Sequence, residues 1–313
     1  MNDLSNNLDD NYFMRPTYVQ GIGNIYPIKY RDYTKFKQLA NTFLVDDLKN
    51  IANKGRIQFQ EKQNQGLISR AEKYKPKHYD CLYDWLIETT NNINETRKSL
   101  ANQKLYLSKI DKEDLINYKQ NKEFREVIEY LTNDNLDLPT NGVYDLFQML
   151  LKNTVILANG VFNILDENKN KVGEINRNNF ELFREIVMQN NLLYKPVVGY
   201  DLNSDKAIQQ ALKTKSKNNR TFSIETMLAV VSISRHLSDA ELQDYTFYRL
   251  TYDFKVISKM HFNNLSFICS ALGGETEGIF HLSEEIDLID NPYDGLFNKP
   301  TTGGIDNMLQ KGW

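Results

Sequence analysis

The residues of this chain that could do chemistry are four histidines, two cysteines, one Asp/Asn-rich turn and a few glutamates. His78, His236, His261 and His281 are of the type that supplies a general base or a metal ligand. None stands in an HExxH pair, and Cys81 and Cys269 are too far apart for a shared zinc knuckle. The densest grouping is His261, Cys269, His281 and the Glu284–Glu285 pair, which is where a hydrolytic or nuclease centre would have to lie. Adjacent glutamates on a helix point ~100° apart, so that pair reads as a solvated face and not as an acid–base dyad. No GxSxG elbow singles out a serine nucleophile, and there is no P-loop. Asp166, Asn168 and Asn170 fall at positions 1, 3 and 5 of a calcium loop. Lys171 then takes the place of the obligatory glycine and Arg177 that of the bidentate glutamate. That stretch is a polar hairpin tip. Gly21-Ile-Gly-Asn24 begins like a dinucleotide fingerprint but has no third glycine opening a helix, so it reads as a turn. Lys206, Lys213, Lys215, Lys217 and Arg220 make the one basic run. It lacks the interleaved aromatics of a nucleic-acid stripe, and lysines suit a helix C-terminus in any case. No catalytic residue, cofactor or metal is expected.

The elements that would position these residues are legible from hydrophobic spacing. Thr17–Gln20 and Ile25–Ile28 flank a glycine turn and predict a β-hairpin, with Pro27 on an edge where no ladder donor is needed. Phe36, Leu39, Ala40, Phe43, Leu48 and Ile51 recur at helical spacing, with Gly55 as the stop. Gln58 to Lys77 is polar, a loop or an exposed helix. An amphipathic helix follows from Tyr79 to Arg97, with Trp85 beside its apolar stripe as core or contact. Leu105 to Leu131 is a third helical region. Asp137-Leu-Pro-Thr-Asn-Gly142 is the expected domain boundary. Val143–Leu151 resumes as a helix. Val155–Leu157, Val161–Leu165 and Lys171–Ile175 then change to strand periodicity, and Asn178–Phe180 opens a further helix. Ser204 caps a short helix through Leu212.

The most apolar run, Thr226–Ile233, predicts a buried helix. Ser238 and Glu241 form a capping box that starts the next one, running to about Met260. That helix shows two arcs at 100° per residue. Phe247, Leu250, Phe254 and Ile257 make a core arc. Leu242, Tyr245, Tyr248, Tyr252 and Val256 make the opposite one, with polar strips between (Thr246, Thr251, Asp253). Tyrosines with a wet hydroxyl suit a semi-exposed surface, so Tyr245, Tyr248 and Tyr252 are the expected partner contacts. The fold class is α+β, mainly α-helical with short N-terminal and central β-hairpins. Its divisions are a disordered N-terminus (1–15), a hairpin plus helical region (16–136), a central α+β region with a buried helix pair (137–274), and an acidic, loop-rich C-terminal segment (275–313).

The 313 residues give one large or two ordinary domains, and 41% hydrophobic with 12% aromatic residues supplies a core. A net charge of −3 sets up no global field for nucleic acid or an acidic membrane. The mean hydropathy of −0.56 reflects abundant Asn, Lys and Gln. Residues 1–10 are acidic and Asn-rich where a signal peptide would be basic and then apolar. No apolar run approaches the ~20 residues that span a bilayer. The expectation is a soluble cytosolic protein with two buried, unpaired thiols.

Three stretches together resemble the tail assembly chaperones and related virion-morphogenesis proteins of tailed bacteriophages. They are Gly23–Tyr33 with Phe36 and Leu39, Glu174–Ile186, and Asp244–Leu250 after its capping-box turn. The resemblance covers about a third of the chain and brings no catalytic residues. It implies a non-enzymatic protein of the host cytoplasm that holds the tape-measure protein during tail assembly. A structural tail, neck or baseplate subunit carried in the virion is the first alternative, and a hydrolase or nuclease built on His261–Glu285 is the second. Partners would be other tail proteins, with homo-oligomers allowed and neither membrane nor nucleic acid expected.

Overall fold

The computed structural model describes residues 7–107, 141–218 and 223–273, together with Ile286, Leu288 and Tyr293. The described chain is an α+β fold, mainly helical, with two small antiparallel sheets. A short helix α1 (Asn7–Tyr12) precedes a hairpin of β1 (Thr17–Val19) and β2 (Gly23–Ile25). Gly21 and Gly23 take positive φ at its turn, a conformation that costs a glycine little. The disorder expected over residues 1–15 is corrected for this part. α1 docks on the last described helix, with Asn11 fully buried and the Tyr12 ring edge-on to Tyr252 at 5.1 Å. An apolar partner face elsewhere in the sequence is what orders it.

Helix α2 (Tyr30–Phe43) buries Tyr33, Phe36, Ala40 and Phe43, one face at helical spacing. The single helix predicted to run on to Gly55 is in fact two. Leu44 and Val45 turn into the core, and α3 (Leu48–Asn64) restarts under Asp47, whose carboxylate accepts the Asn50 N–H at 2.8 Å. The break is held by Arg184, which is buried. It donates Nε to the Leu44 carbonyl and Nη2 to those of Val45 and Asp46, at 3.0 and 3.1 Å. Gly55 is therefore interior to α3 and not a stop. A Cβ there would lie 2.3 Å from the Tyr74 hydroxyl, so the glycine makes room for the chain that returns over the helix.

Helix α4 (Leu82–Leu107) runs ten residues past its expected end at Arg97. Leu105–Leu107, where a third helical region is expected to start, are the end of α4; the rest of that region lies outside the described residues, as does most of the predicted boundary at 137–142. Helix α5 (Gly142–Leu151) is capped by Asn141, whose amide also donates to the Thr90 carbonyl at 3.3 Å and to Asn94 Oδ1 at 2.9 Å on α4. The strands β3 (Thr154–Ala158), β4 (Val161–Leu165) and β5 (Lys171–Ile175) form an antiparallel meander where the sequence places them. Asn159 and Gly160, both at positive φ, make the two-residue β3–β4 turn. In the β4–β5 turn the Asp166 carboxylate accepts the Asn170 N–H at 2.8 Å, so the calcium-like residues close a hairpin tip.

Helix α6 (Phe180–Asn190) follows, then α7 (Leu202–Asn218), longer than the short helix predicted from Ser204. The chain ends its described part in α8 (Ile224–Arg235), α9 (Asp239–Asp244) and α10 (Phe247–Ala271).

One main core joins the hairpin, α2 and α4 to α5, the meander and α6. At its centre Phe147 stands edge-on to Phe162 and Phe183, with centroids 4.9 and 5.4 Å away. The predicted division at 136/137 therefore does not separate two cores. The apolar faces of the hairpin and α2 pack with α5 and the meander, from beyond the predicted division, in the same core. A second, smaller cluster is made by α8, α9 and α10.

Candidate interaction surface

The last three described helices stand on the main core through a short stretch between α9 and α10. Ser238 and Glu241 form the predicted capping box, which opens a helix of only six residues. The chain then extends through Tyr245 and Thr246. Tyr30 N–H donates to the Tyr245 carbonyl at 2.6 Å, and Lys29 bridges Thr246 in antiparallel fashion. Thr246 caps α10, its hydroxyl accepting the Arg249 N–H at 3.2 Å. The helix predicted from 241 to about 260 is thus two, because backbone pairing with Lys29 and Tyr30 takes 245–246 out of helical geometry. Lys29 and Arg31 also reach Asp244 at 2.9 and 3.4 Å. The hydrogen bond from Lys29, above all, holds the Asp244 carboxyl below the usual carboxylate range. Phe247 stacks on Tyr33 at 4.2 Å.

Next along α10 lies a buried charge. Asp253, with its side chain 1% exposed, pairs with Arg235 of α8 at 3.0 Å, and Arg249 stands 4.0 Å from its other oxygen. The Arg249 guanidinium lies over the rings of Tyr245 (4.5 Å) and Tyr12 (5.2 Å). This corrects the expected wet strip at Asp253 and Thr251, both buried. It also corrects the expected wet arc of tyrosines. Tyr248 is 4% exposed and Tyr245 is buried, while Tyr252 is half-buried under Tyr12. Burial raises the Tyr245 hydroxyl above its ordinary pKa, against the pull of Arg249. The docking of α1, which the composition of residues 1–15 hid, puts Tyr12 on Tyr252, while Tyr245 packs in the cluster with Met227 and Val231.

The opposite arc, Leu250 to Ile257, is buried as predicted. Leu250, Phe254 and Ile257 are buried against Met227 and Val231 of α8. Helix α8 itself is not the wholly buried helix expected from its apolar run. Among its residues Met227 and Val231 are buried, whereas Ile233 faces out.

The row Leu250, Phe254, Ile257 continues at the same spacing as His261, Leu265, Ile268 and Leu272. There the row becomes largely exposed, although Asn263 in the same stretch is buried. Leu265 is 62% exposed, Ile268 56% and Leu272 83%, and Met260, Phe262 and Phe267 are exposed on the neighbouring faces. From Met260 to Gly273 the sequence has no Asp, Glu, Lys or Arg. This four-turn, charge-free, apolar helix end is the candidate site. Sequence reading missed it by ending the helix at Met260, although the seven-residue row through Leu272 was there to be seen.

The other candidates are scattered or committed elsewhere. His78 is exposed, 3.9 Å from Asp80. His236 ends α8 in the left-handed conformation, and His261 is exposed on α10. His281, Glu284 and Glu285 lie outside the described residues. Among those described, no group of three His, Cys, Asp or Glu is placed to hold a metal. Both cysteines are free. Cys81 is half-buried with Arg177 Nε donating to its sulfur at 3.3 Å. Cys269 is exposed, against the expectation that both are buried, because it sits on the uncovered end of α10. Lys206, Lys213 and Lys215 lie along α7, with Lys217 on the same helix and Arg220 outside the described residues. A cavity of about 280 Å³ is lined by Lys54, Gln58, Pro196, Val197, Asp205 and Tyr293. Its charged groups are in structural use: Lys54 pairs with Asp46, and Asp205 accepts the Gly199 N–H at 3.1 Å.

No protein-family model, curated protein or solved structure matches the chain. Among the described residues no helix is long and apolar enough to cross a membrane.

Proposed function

We propose that this chain is a non-enzymatic tail-morphogenesis protein of a tailed bacteriophage, acting as an assembly chaperone that holds the tape-measure protein. The observation that carries the reading is the bare apolar end of α10. Contiguous apolar patches beyond a few hundred Å² are rare on isolated soluble domains and mark contact surfaces. A client helix laying its own apolar row along Leu265, Ile268 and Leu272 would bury that surface in helix-in-groove fashion, with the hydrophobic effect as driving force. The three stretches that resemble tail assembly chaperones supply the class of client. The main core and the Asp253–Arg235 pair give the helix a rigid base from which to present its end.

Co-expression with the tape-measure protein of the same phage tests this. The tape-measure protein should stay soluble with the wild-type chain and precipitate with a Leu265→Asp/Ile268→Asp variant, while purified virions should lack the protein. Stoichiometric copies in virions would put a structural tail subunit in place of the chaperone.

A further inference from the structure

We infer that α1 is a strap, which opens and closes over the tyrosine side of α10 while the rest of the fold stays shut and so gates a contact site for a partner's aromatic ring. Three observations carry this. The first is what the docking buries. Asn11 is 0% exposed, and neither its Nδ2 nor its Oδ1 has a hydrogen-bond partner. On α10, Arg249 Nε and Asp253 Oδ2 are buried without one as well, 4.0 Å apart and so too far for a hydrogen bond to each other. Of the eight such side-chain atoms among the described residues, these four lie in or beside this one contact. Closing α1 therefore strips water from polar groups and gives them nothing in return. The second observation is how α1 is held. Six residues are too few for a helix to hold itself, so α1 leans on the Tyr12 ring, edge-on to Tyr252 at 5.1 Å and 5.2 Å from the Arg249 guanidinium. It ends on Met14, whose φ of 59° is left-handed and strained for a side chain, and opening frees that residue to return to extended backbone. The third is what stays in place. α8 packs on the other arc of α10, with Met227 and Val231 against Leu250, Phe254 and Ile257, and Asp253 keeps Arg235 at 3.0 Å. Neither contact involves α1.

With α1 lifted, the Arg249 guanidinium keeps the Tyr245 ring at 4.5 Å and turns its Tyr12 side to water. The group seated there in the closed form is Tyr12, so the occupant that fits is an aromatic side chain, set over Arg249 and edge-on to Tyr252. A partner carrying that ring binds the open fraction alone, and its apparent affinity falls in proportion to that fraction. α1 is in this way an autoinhibitory cover. The strap stands apart from the tail-assembly reading and from the bare end of α10.

Hydrogen exchange read by mass spectrometry on the full chain tests the strap. The amides of residues 11–15 should exchange at least ~100-fold faster than those of β4 in the main core, since they need local opening alone. Asn11→Leu removes the unpartnered amide and should slow exchange at 11–15 about 10-fold, whereas Tyr12→Ala removes the ring and should speed it about 10-fold. Both variants should keep the melting temperature and the β4 exchange of the wild type. Phenylglyoxal modification of Arg249 should follow the same order, faster in Tyr12→Ala and slower in Asn11→Leu, with Arg177 on the main core as the unchanged control. The ring site is tested in the Tyr12→Ala chain with a millimolar peptide of residues 7–14, which supplies the ring in trans. That peptide should protect Arg249, and the same peptide with Tyr12→Ala should not. Faster exchange in Asn11→Leu overturns the strap, because it would show the amide bonded and the contact satisfied. Exchange at 11–15 as slow as in β4, or a Tyr12→Ala chain that melts early, overturns it by making α1 part of the fixed fold. A peptide that leaves Arg249 equally reactive overturns the ring site.

Discussion

Tyr83 joins α4 to the meander from inside the main core, between the rings of Phe162 and Phe180. Its hydroxyl lies 3.0 Å from the Gly160 carbonyl oxygen in the β3–β4 turn and 2.9 Å from that of Ile175, the last residue of β5, which pairs with Phe162. Burial, chiefly, pushes this hydroxyl up to about 12, with the carboxylates of Glu174 and Asp84 adding to it. Tyr33 is raised in the same direction for the same main reason. A tyrosine whose folded pKa is raised favours the folded state fully below the unfolded value of about 10. That contribution is lost as pH rises from there through the folded value. Tyr83→Phe should therefore cost about 1 kcal/mol at pH 8, through the lost hydrogen bond. Thermal melts of both proteins should converge between pH 10 and about 12, because the phenylalanine variant has no hydroxyl to ionise in its unfolded chain. A gap that stays constant with pH would mean that the hydroxyl is wet.

At the scale of elements, the hairpin tip and the meander meet at a point with no spare room. The Glu174 N–H donates to the Gly21 carbonyl at 2.8 Å, and a Cβ on Gly173 would lie 2.5 Å from the Ile22 carbonyl oxygen. Backbone cannot yield there as a flexible side chain would, so Gly173→Ala should force the hairpin off β5 at a cost of about 1–3 kcal/mol. Urea unfolding measures it as a lower midpoint at unchanged slope. An unshifted midpoint would show that the tip rides loosely on the sheet. Elements are also where the reading of spacing went astray. Periodicity carried α2 through to Gly55 and the capping-box helix through to Met260. In both places the chain breaks for a reason outside its own stretch: Arg184, some 140 residues away, binds the carbonyls of 44–46, and Lys29 and Tyr30 pair with 245–246.

For the whole molecule, the main core draws on both sides of the segment 108–140, so the two sides hold each other and not themselves. A protease site placed between Asp137 and Gly142 should, once cut, leave two fragments that co-elute and unfold in one transition. Fragments that separate in native buffer would restore two independent domains. The docking of α1 on α10 and of α10 on Tyr33 is the same kind of fact at longer range: the first and last described elements cover one another.

Several features were legible in the sequence because their causes are local. A change to strand periodicity places the meander, a serine and a glutamate three apart place a helix start, and i, i+3, i+4 spacing places the faces of α2 and α6. A polar loop that fails two of its geometric requirements for calcium is likewise readable as a turn. What surrounds a face is not local. The tyrosine row of α10 and the row through Leu265 and Leu272 look equally apolar along the chain, yet Tyr245 and Tyr248 are buried while the second row is bare. Spacing fixes which side chains share a side of a helix. Only the tertiary structure decides which sides find cover, since burial depends on segments, such as α1 and α8, that arrive from elsewhere in the chain.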